Sequence, residues 1–249
     1  TQGFEVDYAP VDARGFVKVD ALASLLRPDT TLVSVMAVNN EIGSIQLIHE
    51  IAALLEDRPT ISFHVDAVQA LAKVATEVYL PERVDFATFS SHKFHGLRGV
   101  GFVYIKEGKK ITPLLTGGGQ EKEMRSTTEN VAGIAATAKA LRLAMENQEA
   151  FASKTQQMKE VIRKELANYP DVTVFSGEDH FAPHILTFGI KGVRGEVVVH
   201  AFEEFDIYIS TTSACSSKAG KPAGTLIAMG VDKSIAQTAV RLSLDIEND

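Results

Sequence analysis

The sequence lacks several features that would assign it to common classes of protein. Its 249 residues include a single cysteine, Cys215, which excludes an internal disulfide framework and zinc sites built from several thiolates. The 25 Lys and Arg residues are outnumbered by 32 Asp and Glu, and no basic stripe dominates, so a direct nucleic-acid partner is disfavoured. There is no apolar run long enough to cross a bilayer and no signal-peptide pattern after Thr1. We therefore expect a soluble protein without a membrane partner, located by default in the cytoplasm.

The order of apolar segments predicts an α/β fold. β-branched or apolar runs at 31–38 and 61–65 are separated by an amphipathic pattern at 47–57, which is typical of parallel strands linked by a helix. Helical patterns at 131–145 and 150–167 then lead to a mixed region with short strand patterns. This region has predicted strands at 172–175, 185–190, 207–209 and around 241, and a predicted helix at 196–205.

Lys93 lies between two apolar segments. The run before it, 84–89, and the run after it, 100–105, predict a loop that connects two buried strands. A lysine held there loses part of its hydration, which lowers its pKa and makes the amine a usable nucleophile toward an aldehyde. The alternative is a lysine that extends from the strand end into solvent.

Polar residues also follow the two preceding predicted strands. Asn40 lies in a turn-forming cluster, 39–43, and Asp66 closes the strand at 61–65. Ligands of open α/β sheets bind at the carboxyl ends of the strands. From the residues alone, an ordinary loop also explains the cluster, and a helix cap also explains Asp66.

Cys215 lies in a small, polar segment that contains Gly220 and Pro222. This composition predicts a mobile surface loop, and Lys218 and Lys221 would stabilise a thiolate and favour its use as a nucleophile. An incidental cysteine is the alternative.

Arg241 follows an apolar residue on a predicted core strand. Such an arginine usually has an anionic partner, and its planar guanidinium fits a carboxylate. The partner could be a substrate, or an acidic residue of the chain in an internal salt bridge.

Three motifs occur in a familiar order: His64-Val65-Asp66-Ala67-Val68-Gln69, Ser90-Ser91-His92-Lys93 and Ser213-Ala214-Cys215-Ser216-Ser217. Together they resemble the class V, fold-type I enzymes that use pyridoxal 5′-phosphate (PLP), and most closely the cysteine desulfurases of the NifS/IscS type. The resemblance covers nearly the whole chain. It implies a PLP-dependent transferase fold with a mainly parallel sheet in a large domain, 1–147, and a smaller α+β domain, 148–249, that carries the cysteine.

The resemblance also implies which residues would contact PLP. Lys93 would bind it covalently, and Asp66 would lie opposite the pyridine nitrogen, which keeps the ring protonated. Gln69 and Asn40 would lie near the phenolic oxygen, and Asn40 also near the substrate carboxylate.

Further roles follow from the same resemblance. Ser90 and His92 would bind the phosphate, and His92 could assist proton transfer, although a purely structural histidine is the alternative. Thr128 follows a glycine-rich loop at 116–120 and would reach the phosphate of a second subunit, which implies a homodimer. Arg241 would bind the substrate α-carboxylate.

The sequence departs from the family pattern in several places. His95 stands where the family usually has no histidine, Thr127 where it usually has glycine, and Asp245 where a glycine usually follows the arginine. About a hundred residues of the family pattern, with a phosphate loop and a histidine that stacks on PLP, have no counterpart before Thr1. We interpret the chain as an N-terminally truncated fragment or a processed piece.

The expected activity is that of a cysteine desulfurase. L-cysteine would be converted to L-alanine, and Cys215 would carry the sulfur as a persulfide to an acceptor, such as an iron–sulfur scaffold or a tRNA-thiolation protein. The alternatives are a class V aminotransferase, a selenocysteine lyase, or a non-catalytic fragment that keeps only the fold and its dimer contacts. No metal site is expected.

Overall fold

The computed structural model describes residues 3–212 and 224–248, which form two four-stranded sheets with helices packed against them. The strands are β1 (Leu32–Met36), β2 (Ser62–Asp66), β3 (Phe86–Ser90), β4 (Gly101–Ile105), β5 (Val172–Val174), β6 (Ile185–Ile190), β7 (Ser210–Thr211) and β8 (Ala239–Ser243). The α-helices are α1 (Val19–Leu25), α2 (Ile48–Leu54), α3 (Thr76–Tyr79), α4 (Val131–Glu146), α5 (Gln148–Leu166), α6 (Gly195–Glu203), α7 (Gly224–Ala228) and α8 (Lys233–Ala236), and Ser91–Phe94 form a 3₁₀ helix. In these two ranges, no helix has both the length and the apolar character to span a membrane.

The first sheet has the order β1-β2-β3-β4. Strands β1, β2 and β3 are parallel, and β4 runs antiparallel to β3. The chain passes from β1 to β2 through α2, since parallel neighbours need a long crossover. The predicted α/β class and the mainly parallel sheet are confirmed.

The core of this part lies between α2 and β2. Ile48, Ile51 and Leu55 recur at helical spacing and are at most 1% exposed. Phe63 and Val65 of β2 are fully buried. The alternate residues of β2 are only half-buried, because successive side chains of a strand point to opposite faces. The helix therefore covers one face of β2, and the other face carries the residues that matter below.

The second sheet has the order β5-β6-β8-β7, and all its neighbouring strands are antiparallel. Its core includes Phe188, Val198 and Val240, which join β6, α6 and β8. The prediction of a strand at 207–209 is wrong. Ile207 and Tyr208 are exposed, and pairing with β8 begins only at Ser210. The predicted domain division at residue 147 lies between α4 and α5 and stays a prediction.

A buried lysine supports the contact between the part of the chain with the first sheet and the part with the second sheet. Lys159, on α5, is 1% exposed, and its Nζ donates to the carbonyl oxygen of Ala182 at 2.8 Å. Ala182 in turn contacts the part of the chain with the first sheet, because its amide donates to the carbonyl of Gly43 at 2.7 Å. Burial lowers the pKa of Lys159 to about 8. The native protein therefore releases this proton more readily than the unfolded chain does.

We predict that replacing Lys159 changes the pH dependence of stability. Between about pH 8 and 10.5 the unfolded chain holds a proton on Lys159 that the native protein has released, so the free energy of unfolding rises with pH. The contribution of this group is at most about 3 kcal/mol. In Lys159→Met the rise should be smaller. Urea unfolding at pH 8 and pH 10 measures it.

The matched control is Lys164→Met, which removes an exposed lysine from the same helix. Burial also lowers the pKa of Lys73 to about 8. Because Lys73 is present in the unsubstituted protein and in both variants, its titration does not account for a difference between them. If the free energy of unfolding rises equally with pH in the Lys159→Met and Lys164→Met proteins, the rise does not come from Lys159, and the prediction is wrong.

Candidate active site

The carboxyl ends of the parallel strands bring three of the predicted residues to one edge of the sheet. Asp66 ends β2, Ser90 ends β3, and Asn40 follows β1 by four positions. The register aligns these ends, because Met36 pairs with Asp66 and Asp66 pairs with Thr88. The predicted grouping of polar residues at this edge therefore has a structural basis.

Lys93 lies in the 3₁₀ helix directly after β3. The helix is fixed by its inward residues, since Ser91 and Phe94 are at most 2% exposed, whereas His92 is exposed and Lys93 partly so. Ser91 Oγ lies 2.9 Å from Thr137 Oγ1 of α4, within hydrogen-bond distance. Gly96 closes the turn, and its amide donates to the Ser91 carbonyl at 3.0 Å. The amine is thus carried on an anchored turn beside the strand ends.

Asp66 has a local partner as well as a possible ligand. Its Oδ1 accepts a hydrogen bond from the Val68 amide at 3.0 Å. Val68 lies in a turn, and the next helix begins only at Thr76, so Asp66 does not cap a helix as the alternative expected. Among the described residues, Oδ2 accepts no hydrogen bond, and one carboxylate oxygen remains for a ligand. Gln69 lies in the same turn and is half-buried.

His64 is a residue of this face whose role the sequence did not predict. Its Nδ1 lies 2.7 Å from Ser34 Oγ, and its Nε2 lies 3.1 Å from Thr88 Oγ1, so the ring links β1, β2 and β3. Burial lowers its pKa, and nearby Asp66 offsets this only in part. His64 shares a face with Asp66, two positions further along the strand. The period of two between them was the available signal.

Arg241 comes from the second sheet and meets the first. It lies on β8, and its Nη1 donates to the carbonyl oxygen of Asn40 at 2.8 Å. The structure thus brings together two residues that are 201 positions apart in sequence. Both were predicted to contact a substrate carboxylate.

Two basic residues that the sequence did not single out lie nearby. Burial lowers the pKa of Lys73 to about 8, and Lys93 and Arg241 lower it further while Asp245 raises it. The pKa of His184 lies well below its usual value because of burial, and then because of Lys73 and Lys159. His184 is 3% exposed, and neither ring nitrogen has a hydrogen-bond partner within the described residues. Lys73, Lys93 and Arg241 outnumber Asp245 here, and this excess of positive charge favours anionic ligands.

A cleft of about 360 Å³ lies beside this group. Lys73, Phe94 and Asp245 line it. At its rim His95 Nε2 lies 3.3 Å from Asp245 Oδ2. Both residues depart from the family pattern, and the structure places them in contact.

One of the predicted residues, Thr128, is not brought to this group. Thr128 is exposed and lies before α4, and its predicted contact with a second subunit stays a prediction. Cys215 lies outside the described residues, as does the rest of 213–223.

Comparison with known proteins gives a consistent assignment. The family model described as aminotransferase class-V matches residues 1–249. A "NifS/IcsS protein homolog" of Lactobacillus delbrueckii subsp. bulgaricus is 53% identical over 247 residues, which are 99% of this chain and 64% of the relative. The "Cysteine desulfurase IscS" of Clostridium botulinum is 40% identical over 250 residues, which are 99% of this chain and 62% of the relative.

Solved structures agree. A "NIFS-LIKE PROTEIN" has a TM-score of 0.89 and 38% identity, with 100% of this chain and 65% of that one covered. A NifS-like protein from Rickettsia africae has a TM-score of 0.85 and 29% identity, with 97% and 64% covered. The chain therefore spans less than two thirds of the length of these relatives.

We predict that the turn carrying Lys93 depends on glycine at position 96. A Cβ added there would lie 1.9 Å from Ser91 Oγ and 3.0 Å from the Ser91 carbonyl oxygen. Gly96→Ala should lower the free energy of unfolding by about 1–3 kcal/mol, because the buried Ser91 cannot move away freely. Urea unfolding measures the loss.

Adding Ser91→Ala to Gly96→Ala should recover part of that loss, so the two effects should not be additive. Gly224→Ala is the control, since its Cβ would meet nothing within 4 Å. Additive effects, or a Gly96→Ala protein as stable as the control, would show that this close approach does not hold the turn.

Proposed function

The chain belongs to the aminotransferase class V family, and from this premise we propose that it functions as a PLP-dependent cysteine desulfurase. One observation carries the proposal. Asp66 and Lys93 lie at the ends of adjacent parallel strands, and Arg241 is bonded to Asn40 beside them. A carboxylate, an amine and a guanidinium in this arrangement suit a cofactor with a basic ring and a substrate with a carboxylate.

The residues present fit PLP. Asp66 has a carboxylate oxygen without a hydrogen-bond donor among the described residues, and the surrounding excess of cations suits a phosphate. The residues that would hold the cofactor are Asn40, Asp66, Gln69, Ser90, His92 and Lys93, with Thr128 supplied by the other subunit of a homodimer. Bound PLP supplies an electron sink for a carbanion at the substrate α-carbon.

The side chains of this chain then have separate tasks. Arg241 binds the α-carboxylate of L-cysteine, and Asn40 lies next to it. Lys93 removes the α-proton, and its anchored turn holds the amine in place for this step. Asp66 keeps a negative charge opposite the pyridine nitrogen. Burial lowers the pKa of His64, so this ring is less readily protonated beside Asp66 than a solvated histidine would be.

The sulfur leaves by nucleophilic attack. The Cys215 thiolate attacks the substrate sulfur, the sulfur–sulfur bond forms, and the bond between the β-carbon and sulfur breaks. The electron pair of that bond stays with the substrate carbon, which takes up a proton. The balance is L-cysteine plus the Cys215 thiol giving L-alanine plus a persulfide on Cys215. Acceptors for this persulfide would be an iron–sulfur scaffold or a tRNA-thiolation protein.

A cytoplasmic location is part of the proposal. The mechanism needs Cys215 as a free thiol, and such thiols persist in reducing compartments.

We predict that Cys215→Ala separates the two halves of the reaction. In the protein loaded with PLP, transfer of sulfur to a protein acceptor should fall by about 100-fold, because the nucleophile is lost. The change in the cofactor absorbance on adding L-cysteine should remain, since Arg241 and Lys93 are unchanged. Stopped-flow absorbance and persulfide labelling measure the two steps.

Arg241→Lys is the complementary variant, and it should weaken the absorbance response to L-cysteine because an ammonium lacks the planar fork. Unchanged sulfur transfer by Cys215→Ala would contradict the mechanism. Turnover that depends on a keto acid and forms no persulfide would identify an aminotransferase instead.

A further inference from the structure

The cleft that Lys73 lines is separate from the residues predicted to contact PLP and substrate. No described residue that was predicted to contact either of them lines this space. Its volume of about 360 Å³ lies within the range of small-molecule sites in proteins. The proposed activity therefore leaves the cleft without a role.

One wall of the cleft is apolar. Ala140, Leu143 and Ala144 recur on α4 at helical spacing, so they lie on one face of that helix. Phe94 of the 3₁₀ helix and Phe151 of α5 add aromatic surface. Two of the three α4 residues are alanines, whose small side chains leave the space open. This wall suits an aliphatic or aromatic side chain of a ligand.

Charges of both signs line the same cleft. Lys73 lies in the turn after β2, and Asp245 and Glu247 belong to the chain that follows β8. Burial lowers the pKa of Lys73 to about 8, whereas Asp245 raises it, so the two charges act on each other. Within the described part of the chain, however, the Lys73 amine forms neither a hydrogen bond nor an ion pair. The amine is thus available to a ligand.

Lys73 starts from a fixed turn. Its amide donates to the Ala70 carbonyl at 3.0 Å, and Ala70 and Ala72 are at most 4% exposed. An ammonium group carried there loses part of its hydration, and a carboxylate bound in the cleft would offset that cost. The position of Lys73 therefore favours a ligand with a carboxylate.

Asp245 is held in place by its neighbours. Its Oδ2 lies 3.3 Å from His95 Nε2, and its Oδ1 accepts from the Glu247 amide at 3.4 Å. The Asp245 amide donates to Asn248 Oδ1 at 2.7 Å, which fixes the turn after β8. A carboxylate has about four lone-pair sites, so these contacts leave capacity for an ammonium group. The Asp245 side chain is 32% exposed and can be reached by a ligand.

The two signs of charge restrict the class of ligand. A simple carboxylate would pair with Lys73 but would leave its charge uncompensated beside Asp245 and Glu247. A simple amine would be repelled by Lys73 in the same way. A free amino acid carries both charges on one carbon atom, and it can satisfy Lys73 and Asp245 together.

We propose that this cleft binds a free α-amino acid with an apolar side chain. The α-carboxylate binds at Lys73, the α-ammonium binds at Asp245, and the side chain packs against Leu143 and Phe151. The ligand lies next to the turn that carries Lys93, because Phe94 is part of the cleft wall. This amino-acid site is distinct from the one at Arg241.

The test uses L-leucine and two analogues that each lack one charge, isocaproate and isoamylamine. The protein is loaded with PLP and reduced with borohydride, so that the cofactor cannot react with an amino group, and is then titrated in a calorimeter. We expect saturable binding of L-leucine with a Kd of about 1 mM or less. Each analogue should bind at least about tenfold more weakly, because one charged contact is lost. No saturable binding of L-leucine, or equal binding of either analogue, would overturn the proposal.

Variants of the two charged residues locate the ligand. Lys73→Met and Asp245→Asn should each raise the Kd for L-leucine by about tenfold. Lys164→Met and Asp57→Asn, which change exposed residues elsewhere, are the matched controls and should alter it by less than about twofold. An unchanged Kd in Lys73→Met or in Asp245→Asn would contradict the assignment.

Two further variants test the apolar wall and the competing site. Ala144→Leu occupies the cleft, so binding of L-leucine should be lost while urea unfolding shows no loss of stability. Arg241→Lys keeps the charge but not the planar fork, and it should leave the Kd for L-leucine within about twofold. A weakening in Arg241→Lys without one in Lys73→Met would place L-leucine at Arg241 and overturn the proposal. The titration involves no sulfur transfer, so its result stands even if the proposed function fails.

Discussion

The parallel register of β1, β2 and β3 is the constraint on which the candidate site depends. It aligns the strand ends, so that Asp66 and the turn with Lys93 lie at one edge. A slip of one residue would move Asp66 to the face where Phe63 and Val65 are buried. His64 supports this register from the half-buried face, because its ring contacts hydroxyls on both neighbouring strands. Burial of the core residues thus sets the register of the strands, and the register sets the positions of Asp66 and of the turn that carries Lys93.

The turn at 39–43 is the second element on which the candidate site depends. Its backbone carbonyls accept hydrogen bonds from Arg241 at Asn40 and from Ser176 Oγ at Ile42, the latter at 2.6 Å. Its Glu41 side chain accepts from Thr225. One short segment therefore joins the first sheet, the second sheet and the chain after Cys215.

The sequence was sufficient for the features that depend on local pattern. Apolar runs predicted β1 to β3, and the motif around Lys93 predicted the amine at a strand end. It was not sufficient for contacts between distant residues, such as His95 with Asp245, or for the burial of Lys73 and His184. The strand predicted at 207–209 failed for the same reason, since pairing with β8 and not the local apolar residues decides where β7 lies.

The most direct test of the account is the identity of the lysine that binds the cofactor. The protein is incubated with PLP, reduced with borohydride and digested, and the modified peptide is sequenced by mass spectrometry. We predict a pyridoxyl group on Lys93, because its turn lies at the strand ends beside Asp66. Lys73 is the informative competitor, since burial lowers its pKa to about 8 and leaves more of its amine unprotonated near neutral pH. Modification of Lys73, or of many surface lysines without preference for Lys93, would contradict the central claim.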